Sequence, residues 1–148
     1  MKTVWADAPR RELEDRLSRL TPDTVPRWGR MNAPQVVAHL TQAVMMAGGE
    51  LPVRYRRTPL RLTPIKQLAL YLLPFPKGLP TAPELLARAP VGDWPKETAE
   101  LRAALDRLLA RERSAPWPRH PVFGDLSAHA WGVLVYRHTD HHLRQFGV

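Results

Sequence analysis

Proline governs what this chain can become. Nine of its sixteen prolines fall between Pro52 and Pro95. A proline inside a helix removes a backbone donor and clashes with the preceding turn, at about 3 kcal/mol or more. That stretch cannot be one long helix, whereas the segments on either side are free to be helical. The chain therefore reads as a pair of helical segments, a Pro-rich crossover, and a second pair.

The first helix is expected from about Asp7 to Leu20, with Asp7 as its cap, Pro9 in its first turn and Leu13, Leu17 and Leu20 as an apolar stripe. The second is expected from about Ala33 to Ala47. Asn32 caps it, Gln35 completes a variant of the capping box, and Gly48-Gly49 stops it. Within the crossover one short helix is expected: Thr63 caps it, Pro64 begins it, and it ends at Leu73 before Pro74. Its apolar content suits a lid over the other helices. The third long helix is expected from about Pro95 to Arg113, capped by Asp93 and buried along Leu101, Leu105, Leu108 and Leu109. Ser127 caps the last, which runs to about Gln145. No alternating strand pattern appears. The fold class is all-α: a four-helix bundle with a Pro-rich crossover between helices 2 and 3.

With 148 residues, 44% of them hydrophobic, one domain over residues 1–148 can close around one core. The most apolar stretch, Ile65 to Phe75, is broken by Lys66, Gln67 and Pro74, so no membrane span is expected. The first residues lack the apolar region of a signal peptide, and a cytoplasmic protein without a membrane partner is the expectation. The net charge of +8 is carried mostly by Arg, since Lys2, Lys66, Lys77 and Lys96 are the only lysines. These arginines are scattered over helix faces, so the charge does not single out nucleic acid as a partner. Arg54, Arg56, Arg57 and Arg61, beside Tyr55, form a charge run that reads as a solvated loop in preference to an anion site.

There is no cysteine, so a transition-metal site must draw on His, Asp or Glu. Six histidines are available. On a helical wheel His138 sits in the centre of the apolar stripe of the last helix, after Trp131, Leu134 and Val135. His142 follows one turn later and Gln145 continues the row, while Asp140 points to solvent. Two His at i and i+4 have Cβ atoms about 5–6 Å apart and can share one ion. The third ligand should come from a facing helix, and His39 is the candidate, at the edge of the stripe of Val36, Leu40, Ala43 and Ala47. Gln35 and Gln42 are its polar neighbours. Three neutral imidazoles leave coordination positions open, the pattern of catalytic sites. His141 reads as a flanking residue, His129 as exposed or packed locally, and His120 as a structural residue of a loop that can border the site. Trp28, Trp94, Trp117 and Trp131 read as core.

These residues carry a family likeness. Trp28-Gly29-Arg30-Met31, Gln35-Val36-Val37-Ala38-His39-Leu40, His120-Pro121 with Phe123-Gly124, and the ending His138, Asp140-His141-His142-Leu143, Gln145-Phe146 resemble the DinB-like superfamily. The likeness is closest to a branch of unknown function whose members end in an HxDHHxxQF motif. It covers nearly the whole chain, including Pro76-Lys77. It implies a four-helix bundle, a zinc or nickel site on His39, His138 and His142, and a homodimer. It further implies metal-dependent chemistry in which relatives activate a low-molecular-weight thiol. The crossover here is longer than in simple members of the superfamily.

Three functions follow as expectations. The first is a metal-dependent enzyme activating water or a small thiol for hydrolysis or group transfer on a small-molecule substrate. The second is a non-catalytic metal- or small-molecule-binding stress protein. The third, an anion or nucleic-acid binder using Arg54 to Arg61, has least in its favour.

Overall fold

The computed structural model describes residues 1–77, 85 and 93–148; Pro80, Pro83 and Pro90 of the crossover lie outside these. Among the described residues the chain is all-helical, with no strand and one isolated antiparallel bridge between His120 and Gly124. The helices are α1 (Asp7–Ser18), α2 (Ala33–Gly48), the short α3 (Ile65–Gln67), α4 (Trp94–Ala110) and α5 (Ala128–Phe146). No helix among the described residues is long and apolar enough to cross a membrane.

The caps explain most boundaries. Asn32 and Gln35 form the reciprocal capping box that opens α2, each bond 2.9 Å. Asp93 accepts from the Lys96 N–H and Ser127 from the Ala130 N–H, as expected for α4 and α5. The first helix departs from expectation. Ala6, not Asp7, holds the cap position, and Asp7 is already helical with its carboxylate on Arg10. The Ala6 N–H bonds the Thr3 carbonyl, and Trp5 Nε1–H donates to the Ala128 carbonyl at 2.8 Å, so the chain enters the helix one residue early. Asp7 still favours the positive end of the helix dipole. At its C-terminus the Arg19 and Leu20 N–H groups bond three residues back, which ends the helix at Ser18. Leu20 remains buried beyond it.

The expected crossover helix is broken into pieces. A 3-10 turn spans Pro59–Arg61, α3 follows, and a π-helical turn covers Leu68–Leu72. Pro64 occupies the cap position in place of Thr63. Two forces hold this strap on α5. Leu70 is buried, and the Arg137 guanidinium donates to the carbonyls of Ala69, Leu70 and Leu73. Those carbonyls end a helical turn and lack helical partners, so a cation there is favoured.

α2 packs against α4 and α5, and α1 against α5. Trp131, Leu40, Leu108, Val36 and Leu143 are each no more than 1% exposed. Each such side chain contributes about 1.5–3 kcal/mol by leaving water. Of the four tryptophans expected in the core, only Trp131 is fully buried, with Nε1–H on the Pro118 carbonyl. Trp28, Trp94 and Trp117 are half-buried. A tryptophan is large enough to pack with one edge and keep the other near solvent.

The N-terminal segment crosses α5 at Gly132, where the Val4 N–H bonds the Gly132 carbonyl. A Cβ at Gly132 would lie 2.1 Å from Trp5 Nε1 and 2.5 Å from Thr3 Oγ1. Trp5 cannot swing away without breaking its bond to Ala128. Gly132→Ala should therefore destabilise the protein by about 1–3 kcal/mol through overpacking, although alanine is the better helix former. Urea unfolding checks this; equal or greater stability would show that Trp5 is not held there.

Candidate metal centre

α2 and α5 bring three imidazoles to one point. His39 comes from the second turn of α2, His138 and His142 from successive turns of α5. His138 Nε2 lies 3.1 Å from His39 Nε2 and 3.2 Å from His142 Nε2. One ring nitrogen of each residue lies within 4.8 Å of the others. The rings meet edge to face, with centroids 4.8–5.0 Å apart. All three residues proposed from the sequence are thus brought together.

Hydrogen bonding decides which nitrogens carry protons. His39 Nδ1 is 3.0 Å from the Leu85 carbonyl, which can only accept. His142 Nδ1 is 2.8 Å from Gln145 Oε1, an amide whose Nε2 is committed to donating to the Trp28 carbonyl at 2.7 Å. Both Nδ1 atoms are therefore the protonated ones. The Nε2 lone pairs of His39 and His142 face His138 Nε2, which has at most one proton to offer them. Three nitrogens with a deficit of protons are a poor hydrogen-bonded cluster and a good donor set for a cation. Two nitrogens on one tetrahedral ion, at about 2.0–2.1 Å each, stand about 3.3–3.4 Å apart. The observed 3.1 and 3.2 Å are close to that. The three histidines could hold a metal ion.

Burial keeps the rings neutral. It pushes the His142 imidazole down to about 3, with His39 adding to the shift and Gln145 opposing it. Burial also lowers His39, against the Leu85 carbonyl, and lowers His138 well below the usual range, helped by His142 and His39. A neutral imidazole is the form that binds metals.

The trio opens on a cavity of about 790 Å³ between α2, α5, the 59–76 segment and the 120–123 loop. Exposure within the trio differs from the wheel reading. His39, placed at a stripe edge, is only 4% exposed, whereas His138, placed at the stripe centre, is half-buried. The reason is the cavity: the centre of the α5 stripe faces this hollow and not a packed neighbour.

The remaining candidates sort out by position. Asp140 does not point to open solvent: its side chain is 16% exposed, held by Arg16 at 2.7 Å and Arg144 at 3.0 Å. The same Arg16 binds the Val148 carbonyl and ties down the C-terminus. His129 is exposed. His141 flanks the trio, its ring edge-on to Trp28 and Phe75. Arg54, Arg56, Arg57 and Arg61 do not line the cavity; Tyr55 is stacked between Arg61 and Arg119. Gln35 serves the cap of α2 and not the trio.

His120 is more than a loop residue. It lines the cavity, and its Nδ1 accepts from the Val122 and Phe123 N–H groups. Burial pushes it down to about 3. The loop that carries it borders the site, as the sequence allows, and the two N–H bonds to Nδ1 are what hold the ring. The support of His39 by a backbone carbonyl of Leu85 has no side-chain signature at all.

Gln145 couples the centre to the 28–29 turn. Gly29 has φ +84°, and a Cβ there would lie 2.5 Å from Gln145 Nε2, so glycine is needed for the turn to come this close. Gln145→Leu removes the acceptor that fixes the His142 tautomer. It should weaken zinc binding by about 10–100-fold, as outer-shell changes do. Competition against a chromogenic chelator measures this; an unchanged constant would mean that Gln145 orients nothing.

No protein-family model, curated protein or solved structure matches this chain.

Proposed function

We propose that this protein is a metal-dependent enzyme of the DinB-like superfamily. On this reading α1, α2, α4 and α5 are the four helices of the bundle, and His39, His138 and His142 bind one zinc or nickel ion. The chemistry is hydrolysis or group transfer on a small molecule, with water or a low-molecular-weight thiol as nucleophile. The observation that carries the reading is the trio itself: three Nε2 atoms, short of protons, at the wall of a cavity. A divalent ion bound there would supply Lewis acidity and lower the pKa of a water or thiol toward neutrality. The residues around it orient the ligands: Leu85 and Gln145 fix two tautomers. Among the described residues lining the cavity there is no Asp or Glu. Two-carboxylate acid–base chemistry therefore has no support.

That same absence favours a second reading, in which the site binds a small molecule without turning it over. Cobalt-loaded protein separates the two. For the enzyme, the visible absorption band shifts on adding azide or 2-mercaptoethanol, and 4-nitrophenyl acetate or a thiol-transfer panel is turned over. A responsive band with no turnover supports the carrier. A band indifferent to every small ligand contradicts both, since the coordination sphere is then closed.

A further inference from the structure

We propose that the cavity takes a medium-chain carboxylate or acyl group, with an apolar body along its walls and an oxygen that accepts from His120 Nε2–H. This names the ligand class of the same cavity and deepens the reading above, but it does not need the ion. At about 790 Å³ the cavity is of the size that encloses a whole small molecule. Leu40, Val44, Met46, Phe123, Trp131 and Leu134 line it, so water inside finds few partners and an apolar body gains by replacing it. The polar groups on the wall are the histidines, Thr139, Gln145 and Arg30. Arg30 brings a positive charge to the wall, and no described carboxylate opposes it.

His120 supplies the fixed point. Its Nδ1 accepts from Val122 N–H at 3.0 Å and Phe123 N–H at 3.1 Å, so the proton sits on Nε2. The ring is held against Phe123 and Trp131, with centroids 4.9 and 5.3 Å away. Nε2–H has no hydrogen-bond partner among the described residues. A donor locked in place between aromatic rings is satisfied by an acceptor that the ligand brings. An oxygen anion meets a donor on His120 and an arginine on the wall, whereas a quaternary ammonium cannot be ligated by the lone pairs of the trio.

Calorimetric titration of metal-free and zinc-loaded protein with decanoate, butyrate and decyltrimethylammonium tests the proposal. Decanoate should bind at least about tenfold tighter than butyrate, each added methylene contributing up to about fourfold, and more tightly than the ammonium compound of equal chain length. Ala43→Trp, which fills the cavity from α2, should cost decanoate at least about tenfold. Should that variant not fold, Leu60→Trp fills it from the loop side. His120→Asn keeps an acceptor for the two loop N–H groups but withdraws the Nε2 donor. It should weaken decanoate at least about fivefold and weaken butyrate by a similar factor, because both lose the same donor, whereas a merely structural role would leave both affinities unchanged. Equal affinity for decanoate and butyrate, or undiminished binding in the filled variant, overturns the proposal. Decanoate binding by protein that takes up no zinc leaves this proposal standing and the metal reading fallen; zinc uptake without decanoate selectivity does the reverse.

Discussion

His138→Ala is expected to abolish tight metal binding, from about one zinc or nickel per chain to a trace by elemental mass spectrometry. His138 Nε2 is the corner shared by the other two nitrogens, at 3.1 and 3.2 Å. Its removal leaves one ligand on α2 and one on α5, and two neutral imidazoles hold a divalent ion poorly. His129→Ala, on the same helix but exposed, is the control and should keep its metal. The metal-free proteins should behave differently from the loaded ones. Without an ion the wild-type trio faces lone pairs toward one another, so deleting the half-buried His138 ring relieves a conflict as it removes contacts. Metal-free His138→Ala should therefore lie within about 1.5 kcal/mol of the metal-free parent, while zinc stabilises only the parent. A variant that keeps its full metal content would place the ion elsewhere.

Acid should weaken the metal-free protein from about pH 6.5 downward, before its carboxylates titrate. An unfolded histidine takes up a proton near 6.5. In the folded chain burial holds His120 and His142 neutral down to about 3. Between those limits the unfolded state binds more protons than the native state, so stability is fully present above about 6.5 and falls as pH falls. Each of the two sites removes about 1.4 kcal/mol per pH unit. At pH 4.5 the two together amount to about 5 kcal/mol, comparable with the whole stability of a small domain. His39 and His138 are lowered as well and act in the same direction. Urea unfolding between pH 7.5 and 4.5 measures this. Zinc should raise the curve at neutral pH and make its acid limb steeper, because protonation must also displace the ion. A midpoint that stays level across this range would mean that these rings are solvated and charged in the folded state.

The parts of the fold governed by local rules were legible in the sequence. The Asn32–Gln35 box, the Asp93 and Ser127 caps and the glycine after α2 each stand where their types require. The places that differ are those where distant contacts decide. Trp5 reaches across to Ala128 and moves the start of α1, and Arg137 on α5 gathers the carbonyls of a strap nearly seventy residues earlier. A wheel finds which histidines share a face, and it found His39, His138 and His142. It assumes that the centre of an apolar stripe is the most buried line. A hollow in the interior breaks that assumption, which is why His138 proved more open than His39. Asp140 shows the same limit: it lies away from the trio as the wheel has it, but in place of solvent it meets Arg16 of α1.

X-ray absorption at the metal edge of protein loaded with one equivalent of zinc tests the central claim most directly. The account predicts about three imidazole nitrogens at about 2.0–2.1 Å in the wild type, and their loss in His138→Ala. A spectrum without imidazole scattering, or one identical in the two proteins, would show that these histidines do not hold the ion.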